Sequence, residues 1–219
     1  MSISLGLYDI FSNIIPGLLY LFVFYELFGL LKINTISFSN SHNTIETISL
    51  FAGAFILGHI FNTFTFDYWY RLFSKREFDD EAALKWVKHV YPELAENLQA
   101  RDSALLLTAI QIKDKDIANR FEQSRANAIM LRNVSFGFFL LGIIMLAKFI
   151  SSPNEFITLA ISTACIVAAF ITKRQARRFY QWFYRDIFKA ALIYGTSLES
   201  VLNNIRSNAA SSTPKNKTK

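Results

Sequence analysis

The sequence predicts an all-α membrane protein with four transmembrane helices arranged as two hairpins. Charged residues are almost absent from four apolar runs, at residues 14–31, 48–66, 134–150 and 156–172. Each run is about as long as a helix that crosses a bilayer, because ~20 residues rising ~1.5 Å each span ~30 Å. A polar block at residues 71–132 separates the two pairs of runs. The 219-residue chain is therefore predicted to alternate membrane helices with one helical block outside the bilayer.

The placement of Lys and Arg predicts how the chain is threaded through the membrane. The block at 71–132 carries eleven Lys and Arg residues and the segment 173–219 carries ten, whereas connector 32–47 has one and connector 151–155 has none. Lys and Arg near the ends of spans are enriched on the cytoplasmic side. The central block and both termini are therefore predicted to be cytoplasmic, and the two connectors to lie outside.

The first hairpin is predicted at residues 1–66. Pro16 and Gly17 are expected to open its first helix, since proline is tolerated in a first turn, with a cap from one of Asp9, Ser12 or Asn13. Glu26 lies inside this helix, and an ionisable residue within a span is a candidate functional residue. The alternative is that Glu26 reaches water at the outer headgroups or is protonated against a neighbouring helix.

The second helix of this hairpin carries small residues and a polar stripe. Ala54 and Gly58, with Gly53 beside them, permit close approach to a neighbouring helix. The first span is the expected partner, and its Gly29 is expected to help. The polar stripe follows toward the inner end and consists of His59, Asn62, Thr63 and Thr65, of which the first three are the candidate pore residues. Such residues either hold membrane helices together by hydrogen bonds or line a water path, and the sequence leaves both interpretations open.

The cytoplasmic block is predicted at residues 67–133 with three helices. Asp79, Asp80 and Glu81 form an acidic first turn for a helix through Val90. A second helix is expected to start at Pro92, and a third near Asp116 that enters the third span at Arg132-Asn133. The block is small for an independent core, so it is expected to pack on itself, on the spans or on sister subunits.

The second hairpin is predicted at residues 134–172, with Lys148 near its outer end, where a long side chain reaches the interface. A basic amphipathic helix follows at 173–206, and a disordered tail at 207–219. The apolar face of the basic helix repeats at helical spacing: Phe179, Phe183, Ile187, Ala191 and Tyr194. This helix is predicted to lie on the anionic inner leaflet, in contact through Arg174, Arg177, Arg178, Trp182, Arg185 and Lys189. Nucleic-acid binding is the less favoured interpretation of the same charges.

The sequence has no motif of an enzyme or of a cofactor site. It has no phosphate-binding loop, dinucleotide fingerprint, paired metal histidines or serine elbow. The single cysteine, Cys165, lies inside the fourth apolar run and is interpreted as a small apolar side chain. We therefore expect a non-enzymatic protein without a metal or a cofactor.

Four features together resemble a known group of proteins. They are Tyr8-Asp9 ahead of Pro16-Gly17, a second span ending in polar and aromatic residues, Glu122–Arg125 leading to Arg132-Asn133, and the stretch Phe179–Asp186. This layout resembles small multi-span inner-membrane proteins of bacterial anti-phage defence loci, such as retron-associated transmembrane proteins. The resemblance implies a bacterial inner-membrane effector that a cytosolic partner, encoded nearby, triggers to damage or depolarise the membrane.

Three functional hypotheses follow. The first is such an effector, in which copies of the chain associate through small-residue faces and His59, Asn62 and Thr63 line or gate a leak. The second is a membrane anchor or scaffold that recruits a cytosolic enzyme. The third and weakest is a small ion or solute transporter that uses Glu26.

Overall fold

A computed structural model describes residues 3–33, 44–69, 79–92, 99, 102–153 and 156–194. Within these ranges the chain is helical. The helices are α1 (Ile3–Leu30), α2 (Thr44–Phe64), α3 (Asp79–Val90), α4 (Ser103–Lys113), α5 (Lys115–Ser151) and α6 (Phe156–Tyr194), and a π-helical segment (Thr65–Trp69) follows α2 directly. The predicted tail at 207–219 lies outside the described residues.

The chain divides into two compact units. The first, here the membrane unit, comprises Met1–Arg76 and Arg125–Phe179, and the second, here the helical module, comprises Glu77–Ser124 and Tyr180–Lys219. Helices α5 and α6 each contribute residues to both units. The predicted domain limits at 133/134 and 172/173 both fall inside these continuous helices.

Among the described residues, four helices are long and apolar enough to cross a membrane, which confirms the all-α class and supports a membrane protein. The segments are Ile10–Leu30 in α1, Thr47–Phe64 in α2, and the helices α5 and α6. With 37 and 39 residues, α5 and α6 are much longer than the ~20 residues that one crossing needs. The fourth apolar run and the basic segment after it therefore share one helix as far as Tyr194, and residues 195–206 lie outside the described ranges.

The start of α1 differs from the prediction. The helix begins at Ile3, so Pro16 lies inside it and does not open it, and Asp9, Ser12 and Asn13 are not its caps. Pro16 is fully buried. A proline inside a membrane helix is tolerated where neighbouring helices pack against the interrupted turn, and this is where α2 approaches most closely.

Glycines set the contact between α1 and α2. A Cβ added to Gly17 would lie 1.7 Å from the backbone oxygen of Ala54, and one added to Gly58 would lie 2.0 Å from that of Asn13. The predicted close approach through Ala54 and Gly58 is confirmed. The expectation for Gly29 was wrong, because a Cβ there would meet nothing within 4 Å. The two helices touch at their Gly17 end and not at Gly29.

Small residues also bring α5 against α1 and α6. A Cβ on Gly137 would lie 2.5 Å from Cδ2 of Leu19, and one on Gly142 would lie 2.8 Å from Cγ1 of Ile166. The buried Ser162 hydroxyl donates to the backbone oxygen of Gly142 at 2.7 Å. Further along α5, an apolar cluster fills the contact with α1: Val23, Leu141, Ile144 and Met145.

The helical module has an apolar core of its own. Helix α3 has the predicted bounds at 79–90. The predicted helix from Pro92 falls partly on residues outside the described ranges, and the helix that is described begins at Ser103. The core joins α3 and α4 to the last turns of α6, with Val87, Leu106, Ala109, Ile110, Phe183, Ile187 and Phe188 at its centre.

This core corrects the interpretation of the basic segment. Phe183, Ile187 and Ala191 belong to the apolar face that was expected to lie on the inner leaflet, and all three are buried among α3 and α4 side chains. Periodicity identified the buried face correctly but could not tell lipid from protein as the surface that covers it.

Candidate functional site

The membrane unit contains a network of buried polar side chains where α2 ends. Helix α2 passes at Thr65 into the π-helical segment, which continues to Trp69. A π-helical turn changes the direction in which the following side chains point, and such turns are frequent at functional sites. Thr65 and Trp69 are both buried here, against residues near the middle of α5.

Asn62, Arg132 and Asn133 form the centre of this network. The Asn62 side-chain oxygen accepts hydrogen bonds from a guanidinium nitrogen of Arg132 and, at 3.3 Å, from the side-chain amide of Asn133. The hydroxyl of Thr65 lies within hydrogen-bond distance of the side-chain oxygen of Asn133 and of the Asn62 carbonyl. Arg132 is only 3% exposed and Asn133 is fully buried, so these bonds replace contacts that water would otherwise supply.

Further hydrogen bonds tie the network to α1 and α6. The Tyr20 hydroxyl donates to the backbone oxygen of Asn133 at 2.8 Å. The indole nitrogen of Trp69 donates to the Ser135 hydroxyl at 3.2 Å, and that hydroxyl donates to the backbone oxygen of Ala169 at 2.7 Å. All four long apolar helices and the π-helical segment therefore take part in one set of polar contacts.

Aromatic rings surround the polar centre. The ring of Tyr20 stacks on Phe61 with centroids 4.3 Å apart, and the ring of Trp69 lies 4.5 Å from that of Phe139. The Arg132 guanidinium lies 5.1 Å from the centroid of Phe66. Lys173 lies 4.8 Å above the Trp69 ring and donates to its backbone oxygen at 3.3 Å. Cation–π contacts of this kind are stronger away from water, so they add to the hydrogen bonds in holding the helices together.

The chemistry of this arrangement is that of helix association. The network offers amide, hydroxyl, indole and guanidinium groups, and these bond one another. Among the described residues, no group of three or more His, Cys, Asp or Glu side chains could hold a metal ion. The expectation that the chain needs neither metal nor cofactor remains a prediction.

The structure separates the three candidate pore residues of the polar stripe, which all lie on α2. Asn62 belongs to the buried network, whereas His59 and Thr63 lie on the exposed side of the helix. His59 stacks on Phe55, with ring centroids 6.5 Å apart. The three side chains therefore do not line one common path within a single chain, and the stripe serves two different surfaces.

Glu26 pairs with Lys148 in the membrane unit. The Lys148 ammonium on α5 donates to the Glu26 carboxylate on α1, with side chains 29% and 15% exposed. The sequence placed both residues toward the outer ends of their spans but did not predict that they pair. A carboxylate already paired with an ammonium within the membrane unit is less suited to carry a substrate ion.

The six residues predicted to contact the inner leaflet fall in both units. Arg174, Arg177 and Arg178 belong to the membrane unit, and Arg174 and Arg178 are exposed. Within the helical module, Arg185 and Lys189 lie 4.6 Å and 5.1 Å from the ring centroid of Trp86, while Trp182 is exposed. Leaflet contact by this set remains a prediction.

Most of the network was missed at the level of sequence. The sequence pattern identifies Arg132 and Asn133 only as the entry to the third span and Thr65 only as part of the polar stripe. It does not identify Tyr20, Trp69 or Ser135 as partners of these residues. A signal did exist: Asn62 and Thr65 are three apart near the end of one apolar run, and Arg132-Asn133 with Ser135 stand at the start of another. The sequence does not show how α2 and α5 are aligned, and this alignment brings Asn62 and Thr65 next to Asn133.

Comparisons with known proteins give no identification. No family model, no curated protein and no solved structure matches this chain. The resemblance to anti-phage defence proteins therefore rests on the sequence layout alone.

Proposed function

We propose that this chain is a non-enzymatic membrane effector. In this proposal the four apolar helices form two hairpins in a bacterial inner membrane, with both termini in the cytoplasm. A cytosolic protein engages the helical module, the packing of the membrane unit changes, and the membrane loses its permeability barrier. The link to anti-phage defence is part of the proposal and comes from the resemblance of the sequence layout.

The observation that supports an effector is the buried network around Asn133. A passive anchor needs only apolar helices of sufficient length, since these insert without internal polar groups. This membrane unit instead buries an arginine, an asparagine, a threonine and three serines among its helices. Polar groups inside membrane helices are costly unless paired and are commonly functional. A network of this kind favours one packed arrangement and makes a switch to another arrangement possible.

The continuity of two helices supports the triggering step. Helices α5 and α6 are uninterrupted from 115 to 151 and from 156 to 194, and each contributes to both units. A partner that displaces module residues on either helix therefore acts on a helix that also carries the membrane network. Arg132 and Asn133 lie on α5 and the Ala169 acceptor lies on α6.

The membrane potential of cells tests this proposal. We expect Asn133→Ala to depolarise cells without any trigger, because it removes the side-chain bonds to Asn62 and Thr65 that stabilise the resting arrangement. Thr163→Val is the matched control. Thr163 is exposed on α6, and within the described ranges its hydroxyl donates only to the Leu159 carbonyl of its own helix. A voltage-sensitive dye gives the readout, with the amount of inserted protein measured in parallel. Normal potential in Asn133→Ala cells that contain wild-type amounts of inserted protein would contradict the proposal.

The anchor hypothesis remains the second candidate because the helical module has its own apolar core. A module that packs independently could present a docking surface for a cytosolic enzyme without any change in the membrane unit. This hypothesis predicts that unrelated spans can replace the four apolar segments without loss of function. The proposed effector predicts loss of function in the same exchange.

A further inference from the structure

Helix α2 has two faces of different character. Ala54 and Gly58 are buried on the face toward α1, where the backbones meet. The opposite face is exposed along most of the helix and comprises Ala52, Phe55, Ile56, His59, Ile60 and Thr63. Since Thr47–Phe64 is a candidate membrane span, this second face would point into the hydrocarbon of a single inserted chain.

His59 and Thr63 are poorly suited to a lipid surface. Within the part of the chain that the structure describes, His59 has a ring contact with Phe55, and neither side chain forms a hydrogen bond. The other exposed threonine compared above, Thr163, bonds the carbonyl four residues earlier. A polar group without a hydrogen bond is disfavoured in the bilayer core, where no water replaces the missing partner.

We infer that this face of α2 is the contact between two copies of the chain. The inference rests on the proposed effector and adds that two copies of the chain associate through this face. Copies inserted in the same orientation place identical residues at the same depth, so a two-fold axis normal to the membrane brings His59 and Thr63 of one copy to those of the other. Imidazole and hydroxyl groups are donors and acceptors, and they form hydrogen bonds across membrane helices.

The shape of α2 agrees with this arrangement. Ala52 and Gly53 lie one to two turns before His59, and a Cβ on Gly53 would meet nothing within 4 Å. The surface beside them is open in the single chain, and small residues allow two helix backbones to come close. A second copy of α2 would place its own His59 and Thr63 at the depth of these residues. It could also approach closely at Ala52 and Gly53.

Counting the copies in native membranes tests the interface. With a fluorescent fusion, single-molecule photobleaching is expected to show two steps for the wild-type protein and for the control Thr163→Val. The double variant His59→Leu/Thr63→Val is expected to show mostly one step. One-step bleaching of the wild-type protein, or two-step bleaching of the double variant, would overturn the inference.

Cross-linking gives a second measurement, which does not require a variant that disrupts the interface. In a Cys165→Ser background, Ile56→Cys on the proposed face should form a disulfide-linked dimer under mild oxidation. Val167→Cys, exposed on α6, should not. Cross-linking of Ile56→Cys to a different protein, or to nothing, would contradict a second copy as the occupant.

Failure of this inference is distinguishable from failure of the proposed function. Single-step bleaching together with depolarisation by Asn133→Ala would remove the interface and leave the effector. A stable dimer in cells whose potential no variant changes would leave the interface and remove the effector.

Discussion

Both units of this chain bury apolar side chains, but they differ in the polar residues that they bury. The helical module has a buried core made entirely of apolar side chains from α3, α4, α5 and α6. All the buried polar residues among those described lie in the membrane unit: Ser12, Thr65, Arg132, Asn133, Ser135 and Ser162. The membrane unit also exposes large apolar side chains, such as Phe51, Phe55, Phe156 and Phe170.

The difference follows from the solvent that each unit is expected to meet. In water, apolar burial drives packing, and an unpaired polar group is kept outside. In lipid, apolar contacts between helices offer no such gain, so close packing at small residues and hydrogen bonds hold the helices together. In the membrane unit, helix packing depends on Gly17, Gly58 and the network around Asn133. In the module it depends on buried apolar side chains such as Phe188 and Ile110.

Gly17 offers the largest expected effect. A Cβ at this position would overlap the backbone of Ala54, and no side-chain rotation can relieve a contact with backbone. We expect Gly17→Val to destabilise the membrane unit by more than about 4 kcal/mol, in the range that follows only severe packing faults. The amount of folded protein recovered from membranes measures this.

Gly29→Val is the matched control, because a side chain at Gly29 would meet open space. Equal recovery of the Gly17 and Gly29 variants would mean that α1 and α2 do not pack at Gly17.

Phe188 tests the apolar core of the module. This side chain is fully buried, and truncating a buried phenylalanine costs about 3–5 kcal/mol. We expect Phe188→Ala to increase proteolysis in the module, with Ile193→Ala, 81% exposed on the same helix, close to the wild type. Phe170→Ala on the exposed surface of the membrane unit should also have no effect. Equal sensitivity of all three positions would contradict a packed apolar core around Phe188 in the module.

Substitution of Asp114 is expected to have the smallest effect, and it tests a polar contact of the module. Its carboxylate caps α5 by accepting the N–H groups of Ile117 and Asp116 at 3.1 Å, and the Tyr194 hydroxyl donates to it at 3.1 Å. The Ile117 hydrogen bond first, and then those of Tyr194 and Asp116 and the charge of Arg120, hold the pKa of this carboxyl below its usual range.

A lowered pKa means that the folded module binds this proton less readily than the unfolded chain. The contribution of Asp114 to stability is therefore present above about pH 4, the ordinary value for aspartate, and is lost as the pH falls through the lower folded-state pKa. Asp114→Asn keeps a capping side chain and removes the charge, so it should weaken this acid dependence of module unfolding, followed by hydrogen exchange. An unchanged acid profile would assign the dependence to other groups.

The sequence predicts the helices of this chain well because their signals are local. Long runs with almost no charged residues indicate the four apolar segments. The acidic turn at Asp79–Glu81 predicts the residue at which α3 begins. Small residues at Ala54 and Gly58 likewise predict a close contact. Each of these depends on residues within a few turns of one another.

The network and the module core depend on register between distant segments, which the sequence does not provide. Tyr20 and Asn133 are 113 positions apart, and their bond follows from how α1 and α5 align. Thr65 meets Asn133 at the position where α2 passes into the π-helical segment. The helical spacing of residues 179–194 correctly predicts which face of this helix is buried. It does not predict whether lipid or the helices α3 and α4 cover that face, because this depends on tertiary packing.

Ion flux through purified protein tests the central claim most directly, because no other cellular component can cause it. Wild-type protein, Asn133→Ala and Thr163→Val would be reconstituted in liposomes of one lipid composition, and dissipation of an imposed potassium gradient followed with a voltage-sensitive dye. We predict rapid dissipation with Asn133→Ala and a maintained potential with the other two. A maintained potential in all three, with equal amounts of oriented protein, would contradict the account of the network as the element that holds the membrane unit in its resting state.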